Sequence, residues 1–382
     1  MRFVLVGPSA PLRGGIAIDN DALAQALVQV GHTVTQLSFS RLYPTLFFPG
    51  RSQYDVTAAV GSARAQPCID SLNPLSWWRT ARTIARVQPH LVTFQWWHPF
   101  FAPCYAAIMA RGKRLFPSAS HVLISHNTRP HEPLPGQDAA VRLVARHCDG
   151  VIVHSHSEQA LMTAVAPGTV VRLVDYPLLP TPQALPAREA AQQRLGVSGR
   201  VLLFFGYIRK YKGVDLLLQA LAQVPAELAV SVLVAGEFYD PLASYQTLIQ
   251  DLGLADRVRI IDRYIPEPEW PDLFAATDAL VLPYRAASQS MSIALAYGFG
   301  KPVIVSRVGG LAEAVVDGRT GLIAEAEPAA LALAIQRLYT EFLRSPYQEH
   351  LAARRHQLGW EPFIHLLENW KDPAGQESQA AV

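Results

Sequence analysis

Cysteine is scarce. The 382 residues contain three, Cys68, Cys104 and Cys148, an odd number without C-x-x-C spacing, which excludes a disulfide framework or zinc knuckle and leaves buried thiols. Charge is also thin, at 17% of residues against 50% hydrophobic, so a disordered chain is excluded and a large core is expected. No uninterrupted apolar run reaches the ~18 residues of a membrane span. The opening MRFVLVGPSAPL has one arginine and a four-residue apolar run, too short for a signal peptide, so a cytoplasmic protein is expected. No internal repeat or low-complexity tract is present, which excludes a solenoid. Neither sign of charge dominates: 33 Lys+Arg against 31 Asp+Glu leave +2, and no nucleic-acid partner is expected.

The halves differ, however. Residues 1–180 hold 15 Lys+Arg and 9 Asp+Glu, a net +6, and the remainder 18 and 22, a net −4. Basic residues gather at Arg79, Arg82 and Arg86 behind Trp77-Trp78, and at Arg111, Lys113 and Arg114. Such clusters meet anionic lipid or an anionic substrate, or form a solvated helix face.

A length of 382 residues predicts two domains at about 150 residues each. The dominant order is a short β-rich run, a turn with Gly or Asn, then a stretch of helical period, which implies parallel sheets in an α/β protein. Strands are expected at 3–6, 33–37, 91–94, 121–125 and 151–153, with helices at 16–30, 102–112 and 138–147. The proline-rich stretch 177–186 reads as a linker, because consecutive prolines lack the backbone donors of a sheet or helix. Beyond it strands are expected at 201–205, 229–235, 257–261, 279–283 and 302–305, with helices at 213–224, 241–252, 268–276, 291–299 and 328–343. Two doubly wound, Rossmann-like sheets of this kind face each other across a cleft at the carboxyl ends of their strands. The first domain is expected over 1–178 and the second over 179–345, with a disordered tail at 372–382.

Several loops carry candidate chemistry. In Gly7-Pro8-Ser9-Ala10-Pro11-Leu12-Arg13-Gly14-Gly15, paired glycines before a helix let backbone approach a ligand and the helix dipole favours an anion. The loop does not match G-x-G-x-x-G, an ordinary turn is the alternative, and Arg13 is an anion partner or solvated. His126, in Ser125-His126-Asn127-Thr128, is placed to bond a sugar hydroxyl, to act as acid or base, to ligate a metal, or simply to bond backbone. His131 is five residues away in a proline-containing loop and no third ligand is evident, so no metal is expected; His154 and His156 read as structural. In Phe204-Phe205-Gly206-Tyr207-Ile208-Arg209-Lys210-Tyr211-Lys212-Gly213, three cations within four residues repel one another unless an anion sits among them, and a diphosphate suits Arg209 and Lys212. Ala287-Ser288-Gln289-Ser290-Met291-Ser292 precedes a helix whose first N–H groups are capped by hydroxyls or bind phosphate. Gly309-Gly310 reads as a turn and Glu313 as a complement to the next helix dipole.

Taken together, the Gly14-Gly15 loop, G-Y-I-R-K-Y-K-G at 206–213, A-L-A-Y-G-F-G-K-P-V-I at 294–304 and V-G-G-L-A-E-A-V-V-D-G-R-T-G-L-I at 308–323 resemble glycosyltransferase family 4. These are retaining enzymes of GT-B fold that use nucleotide sugars. The likeness runs along nearly the whole chain and is densest from 200 to 325. It implies that Gly14-Gly15 approach the donor diphosphate, that His126 contacts a donor-sugar hydroxyl, and that Lys212 is the diphosphate lysine. The family's arginine directly after the strand glycine is Tyr207 here, which assigns that work to Arg209 with Lys210 in reserve. Ile265 falls where backbone reads the nucleobase, and Ser290, Met291 and Ser292 where helix-start amides hold phosphate. The family's two glutamates, eight positions apart, are replaced by Ala287 and Leu295, so donor recognition falls to Gln289, Ser288 or Glu237. The C-terminal helices over 346–371 are expected to cross back to the first domain.

The resemblance implies a metal-independent, cofactor-free transferase acting on a UDP-sugar first and GDP-mannose next. The acceptor is a glycan or lipid-linked molecule, expected beside Trp96, Trp97 and His98, where aromatic faces stack on sugars or cover lipid, or else belong to the core. Peripheral contact with an anionic membrane is compatible with the basic clusters. The rivals are a nucleotide-sugar epimerase of the same architecture and a non-catalytic nucleotide-sugar-binding partner in a membrane glycan assembly.

Overall fold

The computed structural model describes residues 1–44, 48, 50–55, 65–182 and 184–372. The chain divides into two compact units, one made of Met1–Pro177 together with the chain from Gly359 onward, the other of Leu178–Leu358.

The first unit carries β1 (Arg2–Val6), α1 (Gly15–Gln29), β2 (Thr33–Arg41), β3 (Gln66–Asp70), α2 (Pro74–Val87), β4 (Leu91–Trp96), α3 (Ala102–Leu115), β5 (Ser120–Ser125), α4 (Gln137–Ala145), β6 (Gly150–Val153), α5 (His156–Val165) and β7 (Val171–Leu173). All seven strands pair in parallel, in the order β3-β2-β1-β4-β5-β6-β7. The interior strands are apolar on both faces because helices cover both. Val4, Val6, Phe94, Leu123 and Val153 pack with Phe101, Tyr105, Ile108 and Met109 of the α3 region. The opposite residues, Phe3, Leu5, Ile124 and Ile152, pack with Leu23 and Leu27 of α1.

The second unit carries α6 (Arg188–Leu195), β8 (Arg200–Phe205), α7 (Val214–Gln223), β9 (Val230–Ala235), α8 (Leu242–Asp251), β10 (Val258–Ile261), α9 (Trp270–Ala276), β11 (Ala279–Leu282), α10 (Met291–Gly298), β12 (Val303–Ser306), α11 (Gly309–Glu313), β13 (Gly321–Ala324), α12 (Pro328–Thr340) and α13 (Tyr347–Gln357). Its six strands are also all parallel, in the order β10-β9-β8-β11-β12-β13.

In each sheet the strand order reverses once, at β1/β4 and at β8/β11. The crevice outside the carboxyl ends at such a point is where open α/β sheets bind ligands. The loops after β1 and β4 and those after β8 and β11 are among those singled out in the sequence.

The return to the first unit comes later than 346. Tyr347 stacks on Phe342 with ring centres 5.2 Å apart and Leu351 is buried, which keeps α13 in the second unit. The returning helix, α14 (Glu361–Glu368), buries Phe363, Ile364, Leu367 and the following Trp370 against β1, β4, β5 and β6, worth about 1.5–3 kcal/mol per side chain. Lys371 Nζ donates to the Ser118 carbonyl at 2.6 Å. The tail expected at 372–382 lies, from 373 on, outside the described residues. Strands β3, β7 and β13 have no counterpart among the expected elements; each is an edge strand, paired on one side only, and β3 and β7 lack the apolar run of an interior strand. Of the three thiols only Cys104 is fully buried, Cys68 and Cys148 being half-buried.

Candidate functional site

The loop after β1 is built by its neighbours. Gly14, at φ 116°, precedes α1, and its carbonyl accepts from the N–H groups of Ala17 and Ile18 at 3.0 and 3.3 Å. The loop is held from α1 and β2: Asp21 accepts from Ala10 N at 2.9 Å and from Gln36 Nε2 at 2.7 Å, and Ser38 Oγ accepts from Ser9 N at 3.2 Å. Arg13, half-buried, donates from its side chain to the Ser52 carbonyl and from its backbone to the Gln53 carbonyl.

His126, directly after β5, is 3% exposed. Its backbone N–H bonds the Trp96 carbonyl at 2.8 Å, and its Nε2 lies 2.6 Å from Gln95 Oε1 and 3.8 Å from Asp19 Oδ2. Burial, with His154 second, lowers this imidazole to about 3, so the ring is neutral. Burial also pushes the Asp19 carboxyl up to about 7, against a hydrogen bond with Tyr176. His154 stands 6.1 Å from His126 ring to ring, donates from Nδ1 to the Val174 carbonyl at 3.1 Å, and is lowered to about 4 by burial. Asp19, Asn20, Gln95 and Tyr176 were missed in the sequence. A signal existed: Asp19-Asn20-Asp21 interrupts a helix whose neighbours are apolar, and Gln95 interrupts the apolar strand L-V-T-F-Q-W.

In the second unit the chain leaves β8 at Gly206 and turns through a short 3-10 segment, Lys210–Lys212, into α7. Gly213 closes this turn at φ 71°, and a Cβ there would lie 2.0 Å from the Pro283 carbonyl oxygen, so the loop after β8 rests on backbone after β11. Arg285 reinforces the junction, pairing both Nη atoms with Asp215 at 2.8 Å and donating to the Lys210 carbonyl at 2.9 Å. Lys210 is exposed. The Arg209 guanidinium lies 5.1 Å over the Tyr239 ring, and Tyr207 sits beside Tyr239 with ring centres 4.9 Å apart. Lys212 Nζ lies 5.5 Å from the Tyr284 ring centre. Among the described residues it makes no hydrogen bond or ion pair, and burial, with Arg209 second, lowers its ammonium to about 8. A cation held this way gains most from an arriving anion.

Ser290 caps α10, its Oγ accepting from Ser292 N at 3.3 Å, and the buried Tyr284 phenol, pushed up by burial, is held back by the neighbouring Ser290 and Ser292. Tyr284 therefore stands between the start of α10 and the lysine. Gln289 Oε1 is enclosed without a hydrogen-bond partner among the described residues. Ile265 is buried and its carbonyl accepts from Trp270 Nε1 at 3.1 Å. Glu237 is buried after β9, Ala287 half-buried, and Leu295 wholly buried in α10. Arg209, Lys212, Ser290, Met291, Ser292, Gln289, Ile265 and Glu237 thus share the carboxyl edge of one sheet.

The acceptor candidates separate. Trp96 is wholly buried and belongs to the core, so its ring offers no face to a sugar. Trp97 is half-buried, donates from Nε1 to the Tyr43 hydroxyl at 2.9 Å, and stacks 4.3 Å from Phe101. His98 Nδ1 accepts from Phe100 N at 3.2 Å. Among the described residues no group of three or more His, Cys, Asp or Glu side chains is placed to hold a metal ion.

Residues 199–341 match the family model described as glycosyl transferases group 1. Curated relatives include D-inositol 3-phosphate glycosyltransferase 1 of Catenulispora acidiphila, 32% identical over 197 residues that cover 47% of this chain and 46% of the relative. The enzyme of that class from Streptomyces avermitilis is 32% identical over 240 residues, 58% of this chain and 50% of the relative. The chain spans about half the length of the curated relatives it matches. Among solved structures, Anabaena Alr3699/HepE in complex with UDP-glucose superposes with a TM-score of 0.75 at 16% identity, covering 96% of this chain and 98% of that one. Sucrose-phosphate synthase of Thermosynechococcus elongatus gives 0.72 at 19% identity, covering 97% and 98%. The two parallel-sheet units are those of a GT-B fold, and residues 199–341 carry the likeness to the glycosyl transferases group 1 family.

Proposed function

We propose that this chain is a retaining, metal-independent glycosyltransferase that moves a sugar from a nucleoside-diphosphate sugar to a glycan or lipid-linked acceptor in polysaccharide or glycolipid synthesis. UDP-sugars come first and GDP-mannose next; the UDP-glucose held by the Anabaena structure supports that order. The observation that carries the reading is Lys212, a cation disfavoured by burial and by Arg209 and set beside Tyr284, whose phenol neighbours the start of α10. In the reaction the acceptor hydroxyl attacks the anomeric carbon on the face that the diphosphate leaves, and the leaving phosphate takes the hydroxyl proton. The protein then needs no nucleophile. Lys212, Arg209 and the first amides of α10 offset the charge that develops on the diphosphate, a role that a divalent cation fills elsewhere. Gly14 and Gly15 admit the donor backbone-close, and His126 meets a donor-sugar hydroxyl.

A non-catalytic nucleotide-sugar-binding role is the second reading, favoured by Ala287 and Leu295 at the glutamate positions. One experiment separates the two. Purified protein is screened by thermal shift against UDP-, GDP- and ADP-sugars, since a ligand stabilises by RT ln(1 + [L]/Kd), and then assayed for transfer with EDTA present. Stabilisation with EDTA-resistant transfer is expected. Stabilisation without transfer or donor hydrolysis selects the second reading, product without acceptor selects an epimerase, and no stabilisation by any nucleotide sugar overturns all three.

The acceptor-side unit also suits an anionic membrane surface. From 71 to 131 there is no Asp or Glu, against seven Lys+Arg. Helix α2 exposes Leu75, Trp78, Arg79, Arg82 and Arg86 on one face, with the Arg82 guanidinium 3.3 Å over the Trp78 ring and Arg111 of α3 5.5 Å from it. Exposed apolar tips ringed by cations favour the headgroup boundary of an anionic bilayer.

A further inference from the structure

Buried beneath the loop after β1 is a chain of amide side chains whose hydrogen-bonding direction is set at one end. The Pro8 carbonyl can only accept, so the atom of Asn20 that lies 3.1 Å from it is the amide nitrogen, which also donates to Ser9 Oγ at 3.0 Å. The Asn20 oxygen therefore faces Gln95 and accepts from its Nε2 at 3.1 Å. Gln95 must then present its own oxygen to His126, 2.6 Å from Nε2. An oxygen of this kind cannot donate, so the proton belongs on His126 Nε2. Asn20 and Gln95 are wholly buried and His126 nearly so, which removes water as a competing partner. Gly7 is part of the same device: a Cβ there would stand 2.6 Å from Gln95 Cγ and 3.3 Å from the Asn20 nitrogen.

We infer that Asn20 and Gln95 are positioning residues that hold His126 as its Nε2–H tautomer, so that Nδ1 is a bare acceptor and selects donor sugars that offer a hydroxyl over those that present a carboxylate. The inference rests on the reading that His126 meets the donor sugar. A hydroxyl donates to an imidazole lone pair, whereas a uronate carboxylate has only acceptors to bring and is repelled. The groups facing the ring are Asp19, 3.8 Å from Nε2, and the rings of His154 and Tyr176 at 6.1 and 6.4 Å. Burial that keeps the imidazole neutral supports the same picture.

The test begins without a mutation. Histidine-selective ¹⁵N labelling of the full chain, with the His126 signal assigned by its absence in His126→Gln, reads the tautomer directly. A protonated Nε2 and bare Nδ1 are expected from pH 5 to 8; a protonated Nδ1 or an imidazolium overturns the inference. Next, Gln95→Leu removes the acceptor. In the folded variant Nδ1–H should become populated, and the preference in kcat/KM for UDP-glucose over UDP-glucuronic acid should fall at least tenfold. Gln95→Glu places a carboxylate on Nε2, which favours a proton on both nitrogens and should shift the preference toward the uronate. Unchanged tautomer and unchanged preference in folded variants reject the positioning role. A wild-type protein that neither binds nor transfers any UDP-sugar, while showing the expected tautomer, instead rejects the assignment of function.

Discussion

The Nζ of Lys212 lies 5.5 Å from the centre of the Tyr284 ring, and Tyr284, buried after β11, neighbours Ser290 and Ser292 at the start of α10. One phenol ring thus stands between the cation after β8 and the helix terminus after β11, at the point where the strand order reverses. Lys212→Ala should lower kcat for transfer by roughly 10²–10³, the range for removing one group that stabilises developing charge, with an unchanged melting temperature. Tyr284→Phe keeps the ring beside Lys212 and loses only a neutral hydroxyl, so donor affinity should fall no more than about tenfold. Steady-state kinetics and UDP titration of both variants decide this; equal losses would contradict the assigned roles.

The lowered ammonium of Lys212, about 8 in the free protein, gives donor binding a pH signature. A diphosphate favours the charged amine and raises its pKa, so at pH values above about 8 binding takes up a proton and affinity falls as pH rises. Calorimetric titration with UDP at pH 9, in buffers of different ionisation enthalpy, should show proton uptake. Lys212→Arg, charged throughout, should abolish it.

Acid should weaken the fold between pH 6.5 and 4. His121, His126 and His154 are lowered by burial to about 4, 3 and 4, and each takes up a proton on unfolding. Their stabilisation is complete above the unfolded value of 6.5 and is lost as pH falls toward the folded ones. Asp19 works in the opposite sense: raised to about 7 from 3.8, it releases a proton on unfolding across the same window. Three protons taken up against one released leave two, a slope of at most about 2.7 kcal/mol per pH unit. His121 has no hydrogen bond at either ring nitrogen among the described residues. His121→Leu should therefore halve the slope in urea unfolding measured from pH 4.5 to 6.5.

Two glycines should respond differently to alanine. At Gly213 a Cβ meets the Pro283 carbonyl oxygen at 2.0 Å, whereas at Gly14 nothing lies within 4 Å. Both have positive φ. Gly213→Ala should cost more than about 3 kcal/mol, because clash adds to strain. Gly14→Ala should cost about 1–3 kcal/mol from strain alone, yet weaken donor binding by crowding the helix start. Chemical denaturation and UDP-glucose titration separate the two effects.

The face of α2 predicts salt-sensitive association with anionic vesicles. Replacing Leu75 and Trp78 with Ser, or Arg79, Arg82 and Arg86 with Gln, should reduce sedimentation with vesicles containing phosphatidylglycerol by at least tenfold. Transfer to a water-soluble acceptor should be unaffected. Equal sedimentation of wild type and variants would reject this surface.

The order of parallel strands and helices, the break near 177, the Lys212 turn and the Ser290 cap were legible along the chain, because each is encoded within about ten residues by period, proline, charge or a hydroxyl at a helix start. Edge strands such as Val171–Leu173 were not, since a three-residue strand takes its pairing from a neighbour. Nor was the assignment of Trp96 to the core and Trp97 to a hydrogen bond with Tyr43, which strand register alone decides. The sequence by itself determined two Rossmann-like sheets and a cluster of cations at the end of a strand. Only the tertiary structure brought Asn20, Gln95 and His126 into one directed chain of hydrogen bonds. Those residues are distant in sequence, and a buried amide acquires a direction only from the fixed acceptor at its far end, here the carbonyl of Pro8.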